Sequence, residues 1–154
     1  MNEIEKINFL LSQICTELNK NSWNYSVSTD IFSAAGMAGE SIEKIVSEAL
    51  RKAIILGKTH SISHNLILDE IASSLEYNEA GTATHPNREF IESNEFLSLK
   101  QEILDRLQVL LSSSEQPIQF WLKKGHPFYP VFWDYAFVIE NKADAYVLIG
   151  SASD

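Results

Sequence analysis

Hydrophobic positions follow a helical period through most of the chain and a strand period near its end. Ile4, Ile7, Leu11, Ile14 and Leu18 recur at three- and four-residue steps, which predicts a helix over 2–20 with one apolar face. Asn2 and Glu5 occupy the positions of a capping box, with Asn in place of the usual Ser or Thr. The polar segment 21–26 carries Trp23 and Tyr25 and reads as a loop lying back on the fold. Thr29 or Asp30 then stands where a second helix could be capped. Gly36 and Gly39 would each cost such a helix about 1 kcal/mol, so a break or a close backbone approach is expected near Gly39.

From Glu40 onward, Ile42, Ile45, Val46, Ala49, Leu50, Ala53 and Ile54 fit the amphipathic template, and Gly57 supplies a stop. A third helix is predicted from Ser61 or Ser63 to Tyr77, with Ile67, Ile71 and Leu75 inward. Residues 78–87 have the composition of a loop. Asn94 can cap a long helix with a stripe of Phe96, Leu99, Ile103, Leu107 and Leu110.

The character then changes. Pro117, Gly125, Pro127 and Pro130 predict turns and extended chain, followed by an aromatic and β-branched run from Val131 to Glu140. Trp133, Tyr135, Phe137 and Ile139 share one face of that strand, and Ala136 and Val138 the other. With 141–144 as the turn and Ala145–Gly150 as the return strand, this is a hairpin. Two strands alone are marginal in water, so a further strand is expected from Ile118–Leu122 or from a partner chain. The expected fold is α+β and mainly helical: about four helices in one domain, 1–154, with a C-terminal antiparallel β-hairpin covering one side or end.

Composition narrows the classes. A chain of 154 residues, 45% hydrophobic, buries enough surface to fold without a disulfide or metal staple. Its single cysteine, Cys15, excludes an internal disulfide and any zinc site built on several cysteines; beside Ile14 it reads as a small buried hydrophobe. The first residues lack a basic segment followed by an apolar core, and no apolar run is long enough to span a bilayer, so a cytoplasmic, non-membrane protein is expected. The net charge of −9 argues against nucleic acid as a partner and favours capture of a basic protein.

Candidate chemistry is sparse. His60 and His64 have the i, i+4 spacing of two ligands on one helix face and are weak metal candidates; Asp69, Glu70 or His85 could supply a third ligand, but no spacing selects one. His126 sits in the constrained loop Gly125–Pro130 and could act in acid–base chemistry or in contact with a partner. Eight aromatic residues fall between Phe120 and Phe137, as a second core layer or as an interface. On the interface reading, Trp121, His126, Phe128, Tyr129 and Trp133 are the predicted partner-binding residues. Asp134 and Glu140-Asn141-Lys142 match the residue types of a nuclease metal pattern, but one extended strand holds the two carboxylates roughly 20 Å apart.

No phosphate-binding loop, dinucleotide fingerprint or nucleophile elbow is present, so no catalytic residue, metal or cofactor is assigned. The expectation is a small acidic cytoplasmic protein-binding protein, an immunity- or antitoxin-type inhibitor of a basic toxin or nuclease. The alternative is a small metal-dependent or acid–base enzyme using His60, His64, His85 or His126.

Overall fold

A computed structural model describes residues 1–77, 84–124 and 134–153 of the chain. Among these, the element order is α1 (Glu3–Asn19), β1 (Ser26–Ala34), α2 (Ile42–Leu50), β2 (Ile55–Ser61), α3 (His64–Leu75), α4 (Arg88–Ile91), α5 (Asn94–Ser112), β3 (Ile118–Lys124), β4 (Tyr135–Asn141) and β5 (Asp144–Ser153). The strands form one five-stranded antiparallel sheet in the order β1-β5-β4-β3-β2.

This corrects the mainly helical expectation. The hairpin β4–β5 is present, with Asn141 opposite Asp144 across its turn, but it lies at the centre of a sheet rather than over a helical layer. Segment 118–124 does join it as β3, through Ile118 opposite Val138 and Gln119 opposite Phe137. Two further strands come from segments read in part as helical. Ser26–Ala34 is β1, in which Val27, Thr29 and Ile31 are buried in strand alternation, with Thr29 as the polar member, and Ala34 is buried against the opposite face. The helix expected to run from Glu40 to Gly57 ends at Leu50, where Arg51 adopts a left-handed conformation (φ 54°), and Ile55–Ser61 becomes β2. Gly57 is therefore no helix stop. It lets β3 approach, since a Cβ there would lie 3.0 Å from the Trp121 carbonyl oxygen.

Both faces of the sheet are buried. On one, Val27, Ile31, Tyr135, Phe137, Ile139 and Leu148 pack beneath the apolar stripes of α1, α3 and α5. On the other, Phe120, Leu122, Ala136, Val138, Val147 and Ile149 meet Ile45, Val46 and Ala49 of α2. Two-faced burial explains why β4 shows no exposed alternate positions from Tyr135 to Ile139. The helix starts follow local chemistry. Asn2 and Glu5 form the reciprocal capping box, and Ser41, Ser63, Asn87 and Ser93 accept backbone N–H bonds at their helix starts. Ser93 thus replaces Asn94 as the expected cap.

The outer edge of β1 is closed by side chains of α1. Asn8 donates through Nδ2 to the Ile31 carbonyl (2.7 Å) and accepts through Oδ1 from the Ile31 N–H (2.8 Å). Asn19 makes the same pair with Val27, both bonds at 3.0 Å. The Cys15 thiol lies against the Thr29 N–H between them. Each amide thereby mimics the peptide group of a neighbouring strand, and α1 stands where a sixth strand would pair.

On the inner side, Gly150 lies opposite both Thr29 and Tyr135, whose hydroxyls share a buried hydrogen bond of 2.8 Å. A Cβ at Gly150 would overlap the Tyr135 hydroxyl and come within 2.8 Å of Thr29 Oγ1. Gly150→Ala should therefore lower the unfolding free energy by about 1–3 kcal/mol in urea denaturation. An unchanged midpoint would show that this packing can relax.

Candidate functional site

The residues singled out in the sequence do not converge on one centre. His126, Phe128, Tyr129 and Trp133 lie outside the described residues. His60 and His64 share no helix face: His60 is exposed on β2, whereas His64 is the first residue of α3. The His60 ring lies 5.1 Å from that of Trp121, and its Nε2 is 2.9 Å from Gln119 Oε1. His64 lines an open cleft of about 440 Å³ with Ser63, Asn65, Ser114 and Gln116; among the described residues no carboxylate or second histidine lines it, and the Ser63 hydroxyl already caps α3. His85 Nδ1 lies 2.8 Å from the Pro86 carbonyl oxygen. Among the described residues, no group of three or more His, Cys, Asp or Glu side chains could hold a metal ion. Asp134 accepts from the Ala152 N–H and Glu140 from the Gly39 N–H, so both carboxylates hold backbone in place.

Two surface regions at opposite edges of the sheet remain. The first lies beside β1. Asn21 and Asn24 take left-handed conformations (φ 53° and 49°), which Asn tolerates better than most residues, and together they turn the chain between α1 and β1. Trp23 sits between them, its backbone exchanging two hydrogen bonds with His85. Its side chain is 62% exposed, so the loop presents this indole rather than folding it back. Tyr25 is the residue that turns inward, stacking on Tyr77 at 6.0 Å. A cleft of about 340 Å³ opens at the start of the same loop, and its lining includes Glu17, Lys20, Asn21, Asn87, Glu89 and Glu95. Asn87 fixes its wall by donating to the α1 carbonyls of Leu18 and Glu17. Glu17 pairs with Lys20, while Glu89 and Glu95 have no cation partner among the described residues.

The second region lies at β2 and β3. Trp121 is half-buried, with the Lys58 ammonium 5.0 Å from its ring centroid. Trp121 is thus the one predicted partner-binding residue that the structure describes, and its neighbours on β2 are the Lys58 ammonium and the His60 ring rather than carboxylates.

Burial holds one thiol and one phenol protonated. Burial pushes the Cys15 thiol up to about 12, and the nearby Asp30 carboxylate adds to the shift. Burial likewise raises Tyr135 to about 12 against the opposing hydrogen bond from Thr29. A thiol held protonated in this way is a poor nucleophile at neutral pH. No helix among the described residues is long and apolar enough to cross a membrane. Comparison with known proteins gives no match to the chain among family models, curated proteins or solved structures.

The raised thiol and phenol couple stability to pH. Both groups stay protonated in the fold and ionise earlier in the unfolded chain, so their contribution is complete below about pH 9 and is lost as pH rises toward 12. Urea midpoints should fall progressively above about pH 9, and Cys15→Ala should blunt the fall. A thiol reagent should label Cys15 only as the protein unfolds; rapid labelling of the native state would contradict its burial.

Proposed function

We propose that this chain is a non-enzymatic protein-binding domain that captures a basic partner at the acidic end carrying Trp23. The observation supporting this reading is a tryptophan 62% exposed on a loop at whose start opens a cleft bordered by Glu17, Glu89 and Glu95. An exposed indole on a loop held by backbone hydrogen bonds can bury a large area at little entropic cost, which makes it an efficient contact anchor. Glu89 and Glu95, which form no ion pair among the described residues, speed the encounter with a cationic surface and select against acidic competitors, while Glu17 is already paired with Lys20. The overall charge of −9 acts in the same direction at longer range.

This combination suits a cytoplasmic inhibitor of the immunity or antitoxin type, which masks the cationic surface of a toxin such as a nuclease. The anchor differs from those expected in the sequence: Trp23 takes the place given to Trp121, Tyr129 and Trp133. Capture of one stoichiometric basic protein from native lysate, weakened at high salt, is the expected result with the tagged chain. Trp23→Ala should weaken that complex by about 2 kcal/mol or more, and Glu89→Lys with Glu95→Lys should slow its association. Equal capture by all variants, or isolation of the chain alone at low salt, would overturn the reading.

A further inference from the structure

The two edges of the sheet are treated differently. The outer backbone of β1 is closed by Asn8 and Asn19. β2 pairs with β3 on one side, and among the described residues no hydrogen bond reaches the backbone of its other side. An open strand edge is a template for another extended chain.

The surroundings of that edge select the kind of chain. Arg51, Lys52, Lys58, Lys123 and Lys124 gather on β2, β3 and the turn leading into β2, five of the twelve Lys and Arg residues of an acidic protein. Arg51, Lys58, Lys123 and Lys124 form no ion pair among the described residues, although Glu48 borders Arg51 in the cleft beside α2. Gln119, Trp121 and Lys123 alternate onto one face of β3, where His60 and Lys58 of β2 lie against Trp121. Ile55, half exposed, adds apolar surface at the start of the edge.

Lysine and bulges on an edge commonly guard against self-pairing, and β2 has both: Lys58, and register shifts at Ile55/Leu56 and Leu56/Thr59. That guard works by like-charge repulsion against a second copy presenting the same lysines. Against a strand of opposite charge the same residues attract. We infer that the β2 edge, with Lys58, His60, Trp121 and Lys123, is a docking site for an extended acidic peptide segment of a partner protein, added antiparallel or parallel to β2 as a sixth strand. Backbone hydrogen bonds to β2 supply the register, and the cations select glutamate or aspartate at alternate positions.

This site lies across the sheet from Trp23 and is independent of the proposed capture of a basic partner. The test uses the full chain and a short fluorescein-labelled peptide alternating glutamate with valine. Fluorescence anisotropy should show binding that weakens with salt, and the peptide with lysine for glutamate should not bind. Lys58→Glu combined with Lys123→Glu, both at solvent-facing positions, should reduce affinity at least about tenfold with circular dichroism unchanged. Amide hydrogen exchange should slow in Ile55–Ser61 when the peptide is bound. Binding without that protection would overturn strand addition. Tighter binding of an oligothymidine than of the peptide would overturn the peptide in favour of nucleic acid. Self-association abolished by the same charge reversals would overturn it in favour of a second copy.

Discussion

The pairing of β1 with β5 is the constraint on which the rest of the molecule depends. Nine residues, Ser26–Ala34, align with Ala145–Ser153 from the far end of the chain. Closing so long a loop carries a large entropic cost before any contact forms, so the pairing needs support from both sides. Inside, Thr29 and Tyr135 share their hydrogen bond over Gly150, where only a hydrogen atom fits. Outside, α1 fastens the strand with the amides of Asn8 and Asn19. Once β1 is placed, α2 must cross the sheet to reach the opposite edge, because β2 pairs with β3. That crossing covers the second face. The intervening α3, α4 and α5 return the chain to β3, while α1, α3 and α5 cover the first.

How far the sequence revealed this depended on whether a residue's partners are near in the chain. The capping box of Asn2 and Glu5 and the β4–β5 hairpin are local devices legible in the residue pattern, as was a helix start at Ser61 or Ser63, of which the structure uses Ser63. β1 was obscured because its buried alternate position is Thr29 rather than an aliphatic residue, and its small-residue continuation resembles a helix interrupted by glycine. β2 shows no alternation because it is an edge: from Lys58 to Ser61 every residue is polar and exposed. Its strand character comes from pairing with β3, a tertiary fact. The i, i+4 spacing of His60 and His64 lost its meaning with the helix it presupposed.

The candidate sites were legible to a lesser degree. Trp121 was singled out for its aromatic neighbourhood, yet what distinguishes it in the structure is the Lys58 ammonium over its ring and the His60 ring beside it. Those residues are about sixty positions away in sequence and meet Trp121 only across the β2–β3 ladder. Trp23 was passed over as a loop residue folded inward. The pair Asn21 and Asn24 carried a local signal, since asparagine is enriched in left-handed turns, and two such turns three residues apart reverse the chain tightly. That the turn exposes Trp23 and buries Tyr25 depends on Tyr77 and His85, which no local reading supplies.

Charge and edge chemistry together give the molecule a direction. A formal charge of −9 describes the average, but five of the twelve Lys and Arg residues lie on β2, β3 and the turn before β2, while Glu17, Glu89 and Glu95 line the cleft beyond β1 together with Lys20. Four strand spacings of about 4.8 Å each separate the two edges, roughly twice the Debye length at physiological salt. The field at each end is therefore largely independent of the charges at the other. An exposed edge of one sign and a closed edge of the other cannot pair with each other as strands, because α1 occupies the position a partner strand would need on β1. Lys58 on β2 opposes the symmetric β2–β2 contact by repulsion with its own copy. The same arrangement that suppresses both strand-paired modes of self-assembly leaves the acidic and basic ends open to chemically opposite partners, which is the physical basis for assigning them separate roles.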